Sequence, residues 1–328
     1  MKYLFFLSGE NTEIARAEAK YLSEAYSKKI TAESDGQILV IEADKSIERA
    51  LNRLALTHEV SEYIGSCKVE ELEDLFESIL VPEKKLCVRV RKIGGVRIDS
   101  SEMERKLGAI LWRKGAKISV SKPELTIKVY ISDIAYSGYL IHSTDKKQFI
   151  ERQPDTKPYF RPGVMLPKLA KALVNVSGVK EEEILLDPMC GAGTILIEAG
   201  LMKINFVGVE AFYNIIKGCA ENLSYYNLPL NLIRGDVKKL PFENESFDSI
   251  VTDFPYLKSS KSYGGLNELY NSSLTEFERV LKPACRAVIV SNMDIDEKIE
   301  DVFTIQEKFY QRIHCSLTRR VFVCQKKG

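Results

Sequence analysis

A buried strand that runs into a glycine turn and then a helix constrains the fold of this chain more than any other feature. The apolar run Ile184–Leu186 ends at Asp187, the chain turns through Gly191 and Gly193, and a helical pattern begins at Thr194. Glycine lets a backbone turn tightly and approach a ligand closely, and a helix start presents free N–H groups. This edge of a doubly wound sheet holds nucleotide-like ligands, so the sequence predicts an α/β domain with a Rossmann-like sheet.

Two common phosphate-binding patterns are missing from the sequence around this turn. The dinucleotide fingerprint G-x-G-x-x-G/A fails because Leu196 occupies its third position, and no G-x-x-x-x-G-K-[ST] loop occurs. An acidic strand end followed by Gly-x-Gly suits a nucleoside that carries an amino acid and no phosphates. The loop residues predicted to hold this cofactor are Asp187, Pro188, Met189, Cys190, Gly191, Gly193 and Thr194.

The next two predicted strands also end at acidic residues. The strand Phe206–Glu210 ends in a carboxylate that can accept from both hydroxyls of a ribose. The third strand ends near Arg234, and Asp236, followed by Val237, can accept from an adenine amino group. The alternative is three ordinary acidic turn residues, but the agreement of acids, glycines and strand ends favours a cofactor site that includes Glu210, Asp236 and Val237.

The fourth predicted strand, Phe247–Thr252, leads into Asp253-Phe254-Pro255-Tyr256. This motif resembles the Asp/Asn-Pro-Pro-aromatic signature of S-adenosylmethionine-dependent methyltransferases that act on an exocyclic amino group. Phe254 replaces the first proline of that signature, although Pro255 still favours an extended backbone before it. The resemblance implies S-adenosylmethionine as the cofactor and all four motif residues as catalytic residues.

The chemistry of the target amine favours guanine over adenine. The lone pair of an exocyclic amine is delocalised into the ring, so the site must align the amine with the methyl donor and draw on its protons. Asp253 and the Phe254 carbonyl are acceptors, and guanine presents two adjacent donors, N1–H and the 2-amino group. Adenine places an acceptor beside its amine and would suit asparagine. Tyr256 can stack on an extruded base.

The segment between Lys84 and Lys128 concentrates positive charge. It holds thirteen lysine and arginine residues against four acidic ones, whereas the whole chain has a net charge of +1. Such a surface favours a polyanion partner, because neutralising phosphates gives sequence-independent affinity; a solvated lysine-rich face is the alternative. The residues predicted to contact RNA here are Arg89, Arg91, Lys92, Arg97 and Lys122.

This basic segment resembles the THUMP domain, an RNA-binding module of tRNA-modifying enzymes. The matching pieces are the strand Val88–Ile93, the helix segment Glu104–Gly108 and the run Gly115–Pro123. The resemblance implies a THUMP α/β domain over residues 61–145, preceded by a ferredoxin-like α+β unit over residues 1–60. We also expect a helix over Thr12–Tyr26, and a helix from Ser100 or Ser101 to about Lys114 with Ser101 and Glu104 as a capping box.

Residues 146–165 form a basic connector that contains three prolines. It resembles the Arg-Pro-rich lead-in of THUMP-linked guanosine methyltransferases. Arg152 and Arg161 of this connector are therefore further candidates for RNA contact. The alternative is a plain rigid linker. We expect residues 166–328 to form the catalytic domain, a mostly parallel sheet with one antiparallel edge. The stretch Leu257–Gly265 is expected to be a polar substrate-side loop.

Cysteine and histidine usage indicates a reduced compartment and no metal site. The seven cysteines form no C-x-x-C pair, which is typical of a cytoplasmic protein. The three histidines are scattered, and no apolar run is long enough for a membrane helix.

The whole chain thus resembles the archaeal THUMP-containing tRNA guanosine N2-methyltransferases that modify position ten. That resemblance implies tRNA as the substrate, and we also expect a small activating protein subunit as a partner. Two alternatives stay open: the same reaction at tRNA position six or in ribosomal RNA, and an RNA-binding subunit that is catalytically weak or inactive.

Overall fold

The computed structural model describes residues 1–255, 265–314 and 317–327, and it divides the chain into two compact units. The first unit comprises Met1–Arg16, Tyr26–Asn52 and Thr57–Thr144. The second unit comprises Ala17–Ala25, Arg53–Leu56 and Asp145–Gly328.

The first unit is built on an eight-stranded sheet. Its strands are β1 (Lys2–Leu7), β2 (Thr31–Asp35), β3 (Ile38–Glu42), β4 (Thr57–Lys68), β5 (Lys85–Lys92), β6 (Lys117–Ile118), β7 (Leu125–Ile131) and β8 (Ile134–Ser143). They lie in the order β2-β3-β1-β4-β8-β7-β5-β6. Three helices and two 3-10 helices lie in the same part of the chain: α1 (Thr12–Tyr26), α2 (Leu72–Ser78), α3 (Ser100–Arg113), Lys45–Arg53 and Val69–Glu71. Of these, Ala17–Ala25 of α1 and Arg53 belong to the second unit.

Strand β4 continues across residue 60, where we expected one segment to end. It pairs with β1 on one side and with β8 on the other, so residues 1–60 and 61–145 contribute to one sheet. The division of the chain into a ferredoxin-like unit, a THUMP domain, a linker and a catalytic domain stays a prediction.

The start of α3 differs from the predicted capping box. Asp99, rather than Ser100 or Ser101, caps the helix by accepting from the backbone N–H groups of Ser101 and Glu102. A carboxylate at this position satisfies two N–H groups of the first turn, and its negative charge interacts favourably with the positive end of the helix dipole. Glu104 instead accepts from the backbone N–H of Val90 in β5, and so joins the helix to the basic strand.

The second unit contains a seven-stranded sheet. Its strands are β9 (Ile184–Asp187), β10 (Asn205–Glu210), β11 (Leu232–Arg234), β12 (Phe247–Asp253), β13 (Leu281–Ser291), β14 (Phe303–His314) and β15 (Leu317–Lys326). Its further helices are α4 (Lys147–Ile150), α5 (Pro167–Val176), α6 (Thr194–Leu201), α7 (Tyr213–Tyr225), α8 (Leu266–Val280) and α9 (Asp296–Val302), with a 3-10 turn at Pro154–Thr156.

The strand order β11-β10-β9-β12-β13-β15-β14 confirms the predicted Rossmann-like α/β sheet. Strands β9 to β13 are parallel, and β15 lies antiparallel between β13 and β14. A parallel sheet brings the carboxyl ends of its strands to one edge, where ligands bind. Because β15 runs the opposite way, its first residues lie at that same edge.

Apolar side chains of the sheet and of α8 form the core below this edge. Leu186, Ile250 and Ile289 are buried on three strands, and Phe277 of α8 packs into the same cluster. Burial of side chains of this size stabilises the fold by about 1.5–3 kcal/mol each. Within the described part of the chain, no helix combines the length and apolar character needed to cross a membrane.

Candidate active site

A cavity of about 1030 Å³ opens at the carboxyl edge of the second unit's sheet. The loops after β9, β10, β11 and β12 form its walls, together with residues 161–165 of the connector. The predicted cofactor residues that line it are Asp187, Pro188, Met189, Cys190, Gly191, Thr194, Glu210, Asp236 and Val237. Gly193 is the one member of the predicted set that is not part of the lining.

The two glycines of the β9–α6 loop have different local roles. Both have positive φ angles, 53° at Gly191 and 82° at Gly193. A Cβ atom on Gly193 would lie 2.6 Å from the Sγ of Cys219, so the packing behind the loop needs glycine there. A Cβ on Gly191 would have only the Met189 carbonyl oxygen within 4 Å, at 4.0 Å. Gly191 therefore leaves open space at the cavity wall.

Asp187 is a buried carboxyl group at the end of β9. Its Oδ1 accepts from the backbone N–H of Met189 at 3.3 Å and from the hydroxyl of Thr252 at 3.1 Å. Burial raises the pKa of Asp187 to about 8, and the nearby carboxylates of Asp253 and Glu210 add to this rise. A cationic group bound in the cavity would stabilise the ionised form.

Glu210 and Asp236 follow the next two strands, as the sequence predicts. Glu210 is nearly buried, and its Oε1 accepts from the backbone N–H of Phe212 at 3.0 Å. Asp236 is exposed, and its Oδ1 accepts from the backbone N–H of Lys238 at 2.9 Å. Each carboxylate thus has one oxygen engaged by the turn that follows it, which fixes its position at the cavity.

Two aromatic residues on the cavity wall were missed by the sequence analysis. Phe212 and Tyr213 line the cavity although they are 59% and 62% exposed. Exposed aromatic rings beside a cavity are suited to stacking on a planar base. The sequence offered one signal for them: both residues follow closely after Glu210, the acidic residue that ends β10.

The motif at the end of β12 lies at the cavity, but the ring of Phe254 does not face it. Asp253, Phe254 and Pro255 line the cavity. The Phe254 ring is buried in the core, with its centroid 4.6 Å from that of Tyr270. Its backbone N–H donates to the Val290 carbonyl oxygen at 2.9 Å, a bond that proline cannot make. Phenylalanine is therefore accommodated here as a core residue; Tyr256 lies outside the described residues, as does most of the expected loop after it.

Arg319 is a second functional candidate that the sequence analysis missed. It lies near the start of β15, is 4% exposed, and places Nη2 3.6 Å from the Oδ2 of Asp253. The same nitrogen donates to the Gly163 carbonyl oxygen at 3.1 Å. Strand β15 carries two adjacent arginines, Arg319 and Arg320, before its apolar run Val321–Cys324, and the sequence alone does not show which of them lies near Asp253.

The connector is attached to the cofactor loop and forms part of the cavity wall. Asn222 of α7 accepts from the Tyr159 backbone N–H and donates to the carbonyl oxygens of Tyr159 and Ala192, each at 2.9 Å. Residues 161–165 then line the cavity. This segment is therefore a component of the site, which a plain linker would not be.

Arg152 differs from its predicted role in RNA contact. Its Nε and Nη2 donate to the two carboxylate oxygens of Glu198 at 2.8 and 2.9 Å, and both side chains are largely buried. A bidentate pair of this kind occupies the guanidinium fork inside the unit. Arg152 is therefore left out of the RNA surface proposed below, whereas Arg161 is exposed at the cavity.

The basic residues of the first unit differ in whether they have acidic partners. Arg89 is partly engaged, because it pairs with Glu104 at 3.4 Å and donates to the Val120 carbonyl oxygen. The other predicted contacts are exposed on or after β5 and before β7: Arg91, Lys92, Arg97 and Lys122. Two basic residues of α3 are paired instead with acidic residues of α2, in the pairs Lys106–Glu73 and Arg113–Glu77.

Comparison with known proteins agrees with this architecture. Residues 154–321 match the family model described as UPF0020, RMKL-like, methyltransferase domain. The chain is similar to the tRNA (guanine(10)-N2)-dimethyltransferase of Methanothermobacter thermautotrophicus, with 35% identity over 99% of this chain and 100% of that protein. It is also similar to the enzyme of the same name from Pyrococcus abyssi, with 30% identity over 96% of this chain and 97% of that protein.

A solved structure shares the fold over the whole chain. The crystal structure of TrmN from Thermus thermophilus is 21% identical, covers 100% of both chains and has a TM-score of 0.53. The two relatives and the family model confirm the resemblance identified from the sequence. This chain belongs to the family of the tRNA (guanine(10)-N2)-dimethyltransferases.

Proposed function

We propose that this protein transfers methyl groups from S-adenosylmethionine to the exocyclic 2-amino group of a guanosine in tRNA, at position ten. The observation that carries the proposal is the position of Asp253, an acceptor-only carboxylate, on the wall of the cavity that Asp187 and Glu210 also line. The family to which the chain belongs supports tRNA as the substrate and position ten as the target.

The cavity residues fit S-adenosylmethionine. We assign the cofactor's ammonium group to Asp187, its ribose hydroxyls to Glu210 and its adenine amino group to Asp236, because each is an acceptor at a strand end. The open space beside Gly191 lets the cofactor approach the loop backbone. When bound, S-adenosylmethionine supplies an electrophilic methyl group; Phe212 offers an aromatic face to its adenine.

The acceptors at the end of β12 select and activate the amine. We propose that Asp253 and the Phe254 carbonyl accept from N1–H and the 2-amino group of guanine. These bonds orient the amine and increase electron density on its nitrogen, which makes it a better nucleophile. No strong base is needed, because the nitrogen becomes cationic as it gains a methyl group and then loses its proton readily. Tyr256 is proposed to stack on the base.

Replacing Asp187 with asparagine should weaken cofactor binding and change how the stability of the protein depends on pH. Loss of a charged hydrogen-bond partner, worth about 1.5–3 kcal/mol, should weaken S-adenosylmethionine binding by about tenfold or more. Because the raised pKa of Asp187 makes the folded wild type bind a proton more tightly than the unfolded chain, its stability falls as pH rises towards 8. The variant lacks this loss, so its stability relative to wild type should increase between about pH 5 and pH 8.

Calorimetry for cofactor affinity and denaturant unfolding at several pH values test this prediction. The asparagine Oδ1 can still accept from Met189 and Thr252, so the loop geometry should be retained. Parallel stability profiles of variant and wild type over that pH range would contradict the assignment of a buried, partly protonated carboxyl group.

The first unit is proposed to bind the tRNA through its exposed basic residues. We assign phosphate contacts to the exposed residues on and after β5 and before β7, and place the THUMP domain at residues 61–145 with the ferredoxin-like unit before it. Arg161 at the cavity is proposed to contact RNA beside the target base. The supporting observation is that these side chains are exposed and have no ion pair within 4 Å among the described residues, whereas Lys106 and Arg113 of α3, although exposed as well, pair with acidic residues of α2.

The double variant Lys92→Ala/Arg97→Ala should weaken tRNA binding and reduce its salt dependence. Each phosphate contact removed should lower the slope of log affinity against log salt by about 0.7–0.9. The matched control is Lys106→Ala/Arg113→Ala, which removes the same charge from residues that already have acidic partners. Electrophoretic mobility shifts or fluorescence titrations at several salt concentrations measure both variants; equal losses for the two would mean that only net charge matters.

A methyl-transfer assay distinguishes the proposed enzyme from a catalytically inactive RNA-binding subunit. Purified protein is incubated with unmodified tRNA transcript and S-adenosylmethionine labelled in its methyl group. Transfer of label to RNA supports the enzyme, whereas tRNA binding without transfer supports the alternative. A small activating protein subunit stays a proposed partner, and the assay would reveal it as higher turnover in the presence of a cell extract.

The six described cysteines form no disulfide, which supports the proposed cytoplasmic location.

A further inference from the structure

We propose that Arg319 is a positioning residue for methyl transfer, which holds the Asp253 carboxylate in the orientation that accepts from guanine. This inference rests on the proposed function and adds a residue from the far end of the chain to it. The proposal rests on the ion pair between Nη2 of the buried Arg319 and Oδ2 of the partly buried Asp253, 3.6 Å apart.

The topology of the sheet explains how a residue of the last strand reaches the site. Strand β13 lies between β12 and β15, so the backbones of β12 and β15 are roughly 9–10 Å apart. Arg319 lies two residues before Val321, the β15 residue level with Asp253, and therefore at the carboxyl edge of the sheet. The long arginine side chain bridges this gap and brings Nη2 to 3.6 Å from Asp253 Oδ2. Side chains alternate between the two faces of a strand, so the neighbouring Arg320 points elsewhere and donates to the Asn292 carbonyl oxygen.

The charges around Asp253 indicate why a cation is needed there. The carboxyl group of Asp187 on β9 and the phenol of Tyr270 on α8 both interact electrostatically with Asp253. A second carboxyl group close by disfavours the ionised form, and a guanidinium favours it. Arg319 therefore helps to keep Asp253 ionised, so that it remains an acceptor towards both guanine donors.

The same guanidinium fixes part of the cavity wall. Its Nη2 donates to the Gly163 carbonyl oxygen at 3.1 Å, in the connector segment that lines the cavity. A planar guanidinium can serve two acceptors at fixed angles, whereas a lysine ammonium is a compact point charge. Arg319 thus links Asp253 to the connector segment that forms part of the cavity wall.

The test compares Arg319→Gln with Arg319→Lys and with the control Arg320→Gln. At saturating tRNA and S-adenosylmethionine, we expect Arg319→Gln to lower the single-turnover rate on the order of tenfold to a hundredfold, as misplaced groups do. Arg319→Lys should recover part of that loss because it restores the charge. The affinity for S-adenosylmethionine should stay close to that of wild type in all three variants, and Arg320→Gln should keep the wild-type rate.

Two further readouts separate positioning from a general structural role. In Arg319→Gln, the acid limb of the rate profile should move towards neutral pH, because Asp253 loses its cationic neighbour. In an Asp253→Asn background, Arg319→Gln should lower the single-turnover rate by no more than a further factor of about two. A residue that acts through the Asp253 carboxylate has no carboxylate left to position in that variant. The acid limb should stay in place for Arg320→Gln.

Several results would overturn the inference. These are a wild-type rate for Arg319→Gln, an unshifted acid limb, or losses that multiply in the double variant. If Arg319→Gln does not fold, Arg319→Lys decides through the same pH profile and double-variant comparison. Failure of the wild-type protein to methylate guanosine in this assay would instead count against the proposed function.

Discussion

Asp253→Asn should lower the single-turnover rate of guanosine methylation by about a hundredfold or more, the cost typical of losing a preorganised electrostatic contact. Asparagine keeps the size of the side chain but replaces one acceptor by a donor and removes the charge. Opposite the two donors of guanine, the new NH2 group either faces another donor or forces the amide to turn. The measurement is single-turnover methylation at saturating tRNA and S-adenosylmethionine.

The affinity for S-adenosylmethionine should change little, because Asp253 is assigned to the base. The melting temperature should fall, since the buried Arg319 loses its charged partner. The matched control is Asp248→Asn, at the opposite end of β12, where the carboxylate pairs with Lys282 at 2.6 Å. It makes the same chemical change in the same strand and should leave turnover unchanged. A wild-type rate for Asp253→Asn would remove that residue from the mechanism.

Gly191→Leu should abolish measurable binding of S-adenosylmethionine. A Cβ at this position faces open space at the cavity wall, so the larger side chain would occupy room that the cofactor needs. A positive φ angle also costs a residue with a side chain about 1–2 kcal/mol, so the protein should be less stable. Isothermal titration calorimetry measures binding, and thermal unfolding measures the stability change.

Gly36→Leu is the matched control for backbone strain. Its φ angle of 54° nearly equals the 53° of Gly191, and a Cβ there meets no atom within 4 Å, but it lies in the turn between β2 and β3. Both variants should lose a similar amount of stability, and only Gly191→Leu should lose cofactor binding. Tight binding by Gly191→Leu would show that the cofactor does not approach this loop as proposed.

The catalytic unit's main elements could be predicted because local sequence determines them. The strand Ile184–Asp187 and the strand before Asp253 each combine an apolar run with an abrupt polar end. Acidic residues at successive strand ends meet at one edge in any parallel sheet. For this reason the sequence alone groups Asp187, Glu210, Asp236 and Asp253 at one site.

The features that could not be predicted depend on contacts distant in sequence. Arg319 reaches Asp253 only because β15 is inserted antiparallel between β13 and β14, a pairing that strand propensity does not encode. Arg152 looked available for RNA because its partner Glu198 lies 46 residues away. The role of Phe254 also depends on distant contacts. Its ring packs against Tyr270 of α8 in the core, although the residue lines the cavity.

The most direct test of the account is to map the methylated nucleotide in tRNA transcripts that differ by one amino group. One transcript carries guanosine at position ten, and the other carries inosine, which lacks only the 2-amino group. After incubation with the protein and S-adenosylmethionine, nuclease digestion and mass spectrometry locate the added mass. The account predicts N2-methylated guanosine at position ten of the first transcript and no methylation of the second. Methylation of the inosine transcript at position ten, or of a different nucleotide in both, would contradict it.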